Sequence, residues 1–98
     1  MKAWLVYLIR DGGGALYTGI TTDVERRLEE HRSGRGAKYL RGRGPLVVVY
    51  RRKVGDRGLA LRVERRLKRL PRTGKEALLR ARPSRPGLLR RLGLLVRA

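Results

Sequence analysis

Five side chains in this sequence are of types that move protons or hold oxyanions. They are Tyr7, Tyr17, Arg27, His31 and Glu64. A phenol and an imidazole exchange protons, and His31, the only histidine of the chain, is the group that titrates nearest neutrality. A guanidinium grips a phosphate or carboxylate through a two-pronged fork. Glu64 is the one acid between Asp56 and Glu76, in a stretch crowded with arginines. Each also has a plain structural role. A strand tyrosine is usually core, an arginine at the edge of an apolar face snorkels, and Glu64 has Lys68 four residues on as an ion-pair partner.

The elements that must position these groups follow from the pattern. AWLVYLI at 3–9 is aromatic and β-branched enough for a buried strand, DGGG at 11–14 supplies turn residues, and ALYTGI returns as a second strand. A three- or five-residue loop in the register that pairs positions summing to 24 would set Tyr7 directly opposite Tyr17. A two- or four-residue loop would place them on opposite faces. Thr22 and Glu25 have the spacing of a capping box, which opens a helix running to about Arg32 and halted by Ser33 and Gly34. On that helix Val24, Arg27, Leu28 and His31 recur at i, i+3, i+4 and i+7, so an arginine and a histidine share the apolar face.

GRGAKYLRGRG at 34–44 is read as a surface loop, and PLVVVY at 45–50 as a third strand entered through Pro45. Asp56 is expected to cap a helix over 58–70 with Leu59, Val63, Leu67 and Leu70 as its apolar stripe, ended by Pro71. Thr73 and Glu76 repeat the capping-box spacing ahead of a shorter helix to about Ala81. Residues 82–98, broken by Pro83 and Pro86, form a basic Leu-rich extension, a last helix or a docked tail, to a domain of residues 1–81. The fold expected is of the α/β kind in the broad sense, an α+β sandwich with a three-stranded antiparallel sheet flanked by helices.

Composition narrows the partners. Ninety-eight residues make one domain with one modest core. The formal net charge is +18, with nine basic and five acidic side chains in residues 1–49 and seventeen and three in residues 50–98. A polyanion, first of all a nucleic acid, is the expected partner. No cysteine means no disulfide, thiolate zinc site or cysteine nucleophile. No apolar run approaches a membrane span and no secretion signal opens the chain, so the expected location is the cytoplasm. Asparagine and glutamine are also absent, which points to a thermophilic source.

Together these residues resemble the GIY-YIG nuclease domain. The likeness runs from Leu5-Val6-Tyr7 through Tyr17-Thr18-Gly19, Arg27 and His31 to Glu64, and covers about residues 3–81. Within that family it looks most like the small free-standing bacterial members, whose LYTGITTDVERR, GAK and ALR-x-E-x-R stretches stand here at 16–27, 36–38 and 60–66. The first motif reads LVY and the second YTG, so only the tyrosines and Gly19 match strictly, and the late asparagine frequent in repair and homing enzymes is missing.

The resemblance implies a metal-dependent DNA nuclease of low sequence specificity, acting in repair or recombination, with RNA not excluded as substrate. It implies that Glu64 ligates one Mg²⁺ or Mn²⁺, that Arg27 clamps the phosphate, and that Tyr7, Tyr17 or His31 accepts the proton of the attacking water. A nearby metal and guanidinium would lower a tyrosine toward phenolate. Gly19 would let backbone and substrate approach, while Arg35, Lys38, Arg41 and Arg43 would rim the cleft and hold the phosphate backbone. With few aromatic residues close to that loop, base stacking is not indicated. The competing readings are a non-catalytic, basic nucleic-acid-binding or ribosome-associated protein, and a protein-binding module that uses LLRRLGLL in the extension.

Overall fold

The computed structural model describes residues 2–94. Strand β1 (Trp4–Arg10) lies at the centre of a three-stranded sheet between β2 (Leu16–Thr21) and β3 (Val47–Gly55), antiparallel to both. Helix α1 (Val24–Arg32) covers one face, and α2 (Arg57–Arg69), α3 (Arg72–Ala81) and α4 (Arg85–Arg91) supply the other. Alternation along β1 divides its side chains between the two. Val6 and Leu8 join Tyr50 and Val54 of β3, Val63 and Leu67 of α2, Leu78 of α3, and Leu88 and Leu89 of α4. Tyr7 and Ile9 point the opposite way and pack with Val24, Leu40 and Leu46. The α+β sandwich expected from the sequence is the fold observed.

The hairpin register corrects the expected one. Its loop is Asp11–Ala15, five residues, but the pairs sum to 26: Tyr7 faces Gly19 and Tyr17 faces Ile9. The two tyrosines are therefore diagonal neighbours on one face rather than directly opposed. Asp11 sets this loop, since its Oδ1 accepts the N–H groups of Gly13 at 2.9 Å and Ala15 at 3.0 Å.

Neither capping box forms. The N-cap of α1 is Asp23, whose carboxylate accepts from the Arg26 N–H at 3.1 Å, because Thr21 Oγ1 draws in the Asp23 N–H and shifts the start by one residue. At α3 the N-cap is Pro71, and Glu76 instead makes a bidentate pair with Arg10 of β1 at 2.8 and 3.0 Å, tying the helix to the sheet. Asp56 does cap α2, accepting from the Leu59 N–H at 2.8 Å.

Residues 34–44 are not a loop throughout: Lys38–Leu40 form a 3₁₀ turn that buries Leu40. The extension docks, with Leu88, Leu89 and Leu92 buried in the core on the α2 side and the Tyr50 hydroxyl donating to the Pro83 carbonyl at 2.8 Å. The remaining part of the Leu-rich row, Leu95 and Val96, lies outside the described residues. On the outer strand β3, Arg82 and Arg85 donate to the carbonyls of Val49 and Val54. No helix of the described residues is long and apolar enough to cross a membrane.

Candidate active site

The site is assembled where α1 lies over the hairpin. Val24 and His31 are buried on the shared helix face, while Arg27 and Leu28 are half-buried at its margin. The apolar members of the face close the core, and the polar ones meet the tyrosines. His31 and Tyr7 form the pivot: the Tyr7 hydroxyl lies 2.8 Å from His31 Nε2, and both groups are almost fully buried. Tyr17 packs against both, its ring centre 6.4 Å from Tyr7 and 5.5 Å from His31.

The chain beyond α1 determines which nitrogen of His31 carries the proton. Arg35 and Gly36 both return their N–H groups to the Glu30 carbonyl at 2.9 Å, which turns the backbone under the imidazole. The Ala37 N–H then donates to His31 Nδ1 at 3.1 Å. With Nδ1 an acceptor, the neutral ring carries its hydrogen on Nε2 and donates it to the Tyr7 oxygen. Gly36 is required for this turn, because a Cβ there would fall 2.9 Å from His31 Cα and collide with the ring.

Two opposed influences act on the phenol of Tyr7. Burial, and next the neighbouring Tyr17, push its pKa up to about 12, while the Arg27 guanidinium pulls it down. Burial wins, so the metal-free protein holds Tyr7 as a neutral phenol at pH 7, and the guanidinium alone does not produce the lowering expected from the sequence. Burial likewise lowers the pKa of His31, with Arg27 adding to the effect and Glu30 opposing it. Arg27 is itself held at 2.9 Å by Glu30, one turn along the helix.

Glu64 reaches the site from the other layer. It belongs to α2, on the sheet face opposite Tyr7, but it projects at the edge strand β2 into an open cleft of about 420 Å³ shared with Ile20, Thr21, Arg27, Glu30 and Arg57. There it also pairs with Lys68 at 3.4 Å. The cleft thus straddles the β2 edge, with Glu64 on one bank and Arg27, backed by Tyr7, on the other. Another hollow, of about 640 Å³, borders His31, Arg32, Arg41 and Leu46 and has no acid in its lining.

The remaining residues singled out in the sequence fall as follows. Gly19 is buried beneath Tyr7, and the phenol ring fills the room a Cβ would need. Arg35, Lys38, Arg41 and Arg43 are all exposed on the segment after α1. Arg41 donates to the Gly34 carbonyl and Arg43 to that of Tyr39, each at 2.9 Å, so two of the four brace the segment itself.

Three contributors escaped the sequence reading: Glu30, Gly36 and Tyr39. The spacing of Glu30 from Arg27 was a readable signal for a helix-face pair, whereas the role of Gly36 depends on a close approach that no local pattern encodes. In the sequence Tyr39 reads only as part of the surface loop. It lies within the basic segment, 44% exposed, with its ring stacked on Tyr17 at 6.1 Å.

A divalent cation suits one edge of this arrangement. Among the described residues no three His, Cys, Asp or Glu side chains cluster. A hard ion such as Mg²⁺ or Mn²⁺ nevertheless often takes a single protein carboxylate and completes its shell with water and substrate phosphate. Glu64, acidic and opening onto a cleft beside Arg27, fits that mode.

Comparison with known proteins agrees with the geometry. The GIY-YIG catalytic domain family matches residues 3–77. The chain is 57% identical over 79 residues to the UPF0213 protein YhbQ of Escherichia coli K12, covering 81% of this chain and 79% of that one. It is 52% identical over 89 residues to YhbQ of Salmonella typhimurium, covering 91% and 89%. The solution NMR structure of the UPF0213 protein BH0048 from Bacillus halodurans superposes with a TM-score of 0.54 at 44% identity, over 80% of this chain and 83% of that one. Matching that family's catalytic domain over residues 3–77, and more than half identical to these two UPF0213 proteins, the chain belongs to the GIY-YIG family, among the small proteins designated UPF0213.

Proposed function

We propose that the protein is a nuclease that hydrolyses phosphodiester bonds in DNA with little regard to sequence. The observation that carries this reading is a cleft lined by a phosphate fork, Arg27, and a carboxylate, Glu64, with the buried phenol of Tyr7 behind Arg27, its oxygen accepting a hydrogen bond from a histidine of fixed tautomer. RNA offers the same phosphodiester and is the alternative substrate.

The roles follow from what each atom is free to do. Both nitrogens of His31 are engaged, Nδ1 accepting from Ala37 and Nε2–H donating to Tyr7, so the imidazole positions the phenol and does not take the water's proton. Arg27 faces both the phenol oxygen and the cleft, where it supports negative charge on the phenolate or on a substrate phosphate. Tyr7, once ionised, is the proton acceptor, its oxyanion stabilised by the His31 N–H and by Arg27. Tyr17 packs against Tyr7 and His31 and limits the water around them.

Glu64 would hold Mg²⁺ or Mn²⁺. Such an ion supplies positive charge that favours ionisation of a nearby phenol and balances charge on the departing oxygen. The exposed cations of residues 35–43 contact phosphates, which position a strand without reading its bases.

A non-catalytic nucleic-acid-binding protein is the second reading, favoured by the raised pKa of Tyr7 and by the pairing of Glu64 with Lys68. One experiment separates the two. The purified protein is incubated with labelled single-stranded, branched and duplex DNA, and with RNA, in Mg²⁺ or Mn²⁺, beside Glu64→Ala. Cleavage that Glu64→Ala abolishes while leaving binding intact establishes the nuclease. Salt-sensitive binding with no cleavage of any substrate establishes the second reading.

A further inference from the structure

We propose that Tyr39 is a nucleobase-stacking platform beside the cleft, and that Arg43 is a cover which the base displaces. This rests on the nucleic-acid reading above and specifies how that substrate is held. Tyr39 is the one exposed aromatic ring among the described residues, at 44% of its surface, while Trp4 and Tyr17 are half-buried and Tyr7 and Tyr50 buried. It does not project alone. Its ring stacks on Tyr17 at 6.1 Å and 20°, and Tyr17 in turn meets His31 at 5.5 Å, so a continuous set of rings leads from solvent to the pivot of the site.

The face of Tyr39 already receives a flat π-system. The guanidinium carbon of Arg43 lies 4.2 Å from its ring centre. A planar cation on a phenol is a near-match in shape and polarisability for a nucleobase, and an arginine released from the ring becomes available to an adjacent phosphate.

The platform is also held still, which lowers the cost of ordering it on binding. Leu40, the next residue, is buried at 2% exposure. On one flank Ala37 is bonded to His31, and on the other the Gly12 N–H donates to the Arg43 carbonyl at 2.8 Å. Exposed Arg35, Lys38 and Arg41 stand on the same segment, where phosphates on either side of a stacked base would lie.

The ligand is a base with a free face, which a paired and stacked duplex does not present. It is available in a single strand or as one unpaired nucleotide within a duplex. Sequence preference should be weak, because every base has a π-face.

The test uses the full-length protein in EDTA, so that binding is read without cleavage. Its probes are a short oligothymidylate, the same oligonucleotide with one abasic residue walked along it, a duplex with one unpaired nucleotide, and a fully paired duplex. Tyr39→Ala should weaken the intact oligothymidylate and the interrupted duplex about tenfold and the paired duplex hardly at all. The wild type should lose a similar factor at one abasic position, and Tyr39→Ala should lose nothing further there.

Tyr39→Phe should bind as the wild type, and Arg43→Ala should lower the salt dependence while keeping the abasic penalty. Thermal melts of both Tyr39 variants show whether the Tyr17 contact alone has been disturbed. Tyr39→Ala and abasic losses that simply add, equal losses on all probes, or no loss at all would overturn the proposal. Cleavage assays in Mg²⁺ keep its failure distinct: Glu64-dependent cleavage with a neutral Tyr39→Ala sinks the platform alone, and base-dependent binding without cleavage sinks only the nuclease.

Discussion

The Tyr7 hydroxyl and His31 Nε2 lie 2.8 Å apart, and the Ala37 amide on Nδ1 makes the histidine the donor of that bond. On the proposed nuclease reading the phenol oxygen is then the group that accepts the water's proton. Tyr7→Phe should lower kcat by about 10²- to 10⁴-fold while leaving DNA affinity unchanged, as read by single-turnover cleavage beside equilibrium binding. The loss of a buried hydrogen bond should cost only about 1 kcal/mol of stability. Because burial places the phenol near 12 before any ion binds, wild-type activity should climb with pH from neutrality, as the phenolate population grows. Flat activity from pH 7 to about 9 would assign the proton to another group.

His31 links folding to acidity. Its folded pKa lies below the ordinary value of 6.5, mainly because the ring is buried. Below about pH 6.5 the unfolded chain binds the proton more readily than the native one, so acid favours unfolding. Stability from this group is complete above that pH and drains away as pH falls toward the depressed folded value. Urea titrations between pH 5 and 8 should show the slope, and His31→Gln should flatten it while lowering the plateau.

On the proposed reading Glu30 would compete with a substrate phosphate for Arg27. Their 2.9 Å pair engages one nitrogen of the guanidinium fork. Glu30→Gln should tighten oligonucleotide binding roughly two- to fivefold, a modest gain because the pair is solvent-screened. Weaker binding would mean that Glu30 positions Arg27 rather than restraining it.

Gly19 is needed by the core as well as by the site. A methyl group at that position runs into the Tyr7 ring, which is 1% exposed and has nowhere to retreat. Gly19→Ala should cost about 1–3 kcal/mol in chemical denaturation and reduce cleavage by displacing the phenol. Gly34→Ala offers a contrast, because nothing crowds its Cβ and only its φ of +83° resists substitution.

In the unbound protein the basic segment divides into side chains that brace it and side chains that are free. Those of Arg41 and Arg43 hold backbone carbonyls, whereas those of Arg35 and Lys38 make no hydrogen bond among the described residues. Arg35→Ala and Lys38→Ala should each reduce the slope of log affinity against log salt by about 0.7–0.9, with little change in melting temperature. An unchanged slope would remove them from the interface.

The elements of this fold were legible because their patterns are local. The aliphatic, β-branched runs gave all three strands, and Val24, Arg27, Leu28 and His31 declared one helix face. The errors came where tertiary contacts decide. A run of three glycines allows several loop registers, and the choice rests on how the Asp11 carboxylate gathers two amides. The true N-cap of α1 is Asp23 because Thr21 engages its amide. Glu64 was readable as an isolated acid, but its place across the sheet depends on how α2 packs along β2. The segment at 34–44 looked unstructured because its order comes from buried Leu40 and from the close passage of Gly36 over His31, neither of which has a periodicity.

The two guanidinium groups seated on the carbonyls of Val49 and Val54 occupy the open rim of the sheet. A chain that tried to extend the sheet from that side would have to evict two cations and meet the charge of Arg51 and Lys53 as well. Despite its exposed Val47, the β3 rim is thereby guarded against the addition of a further strand.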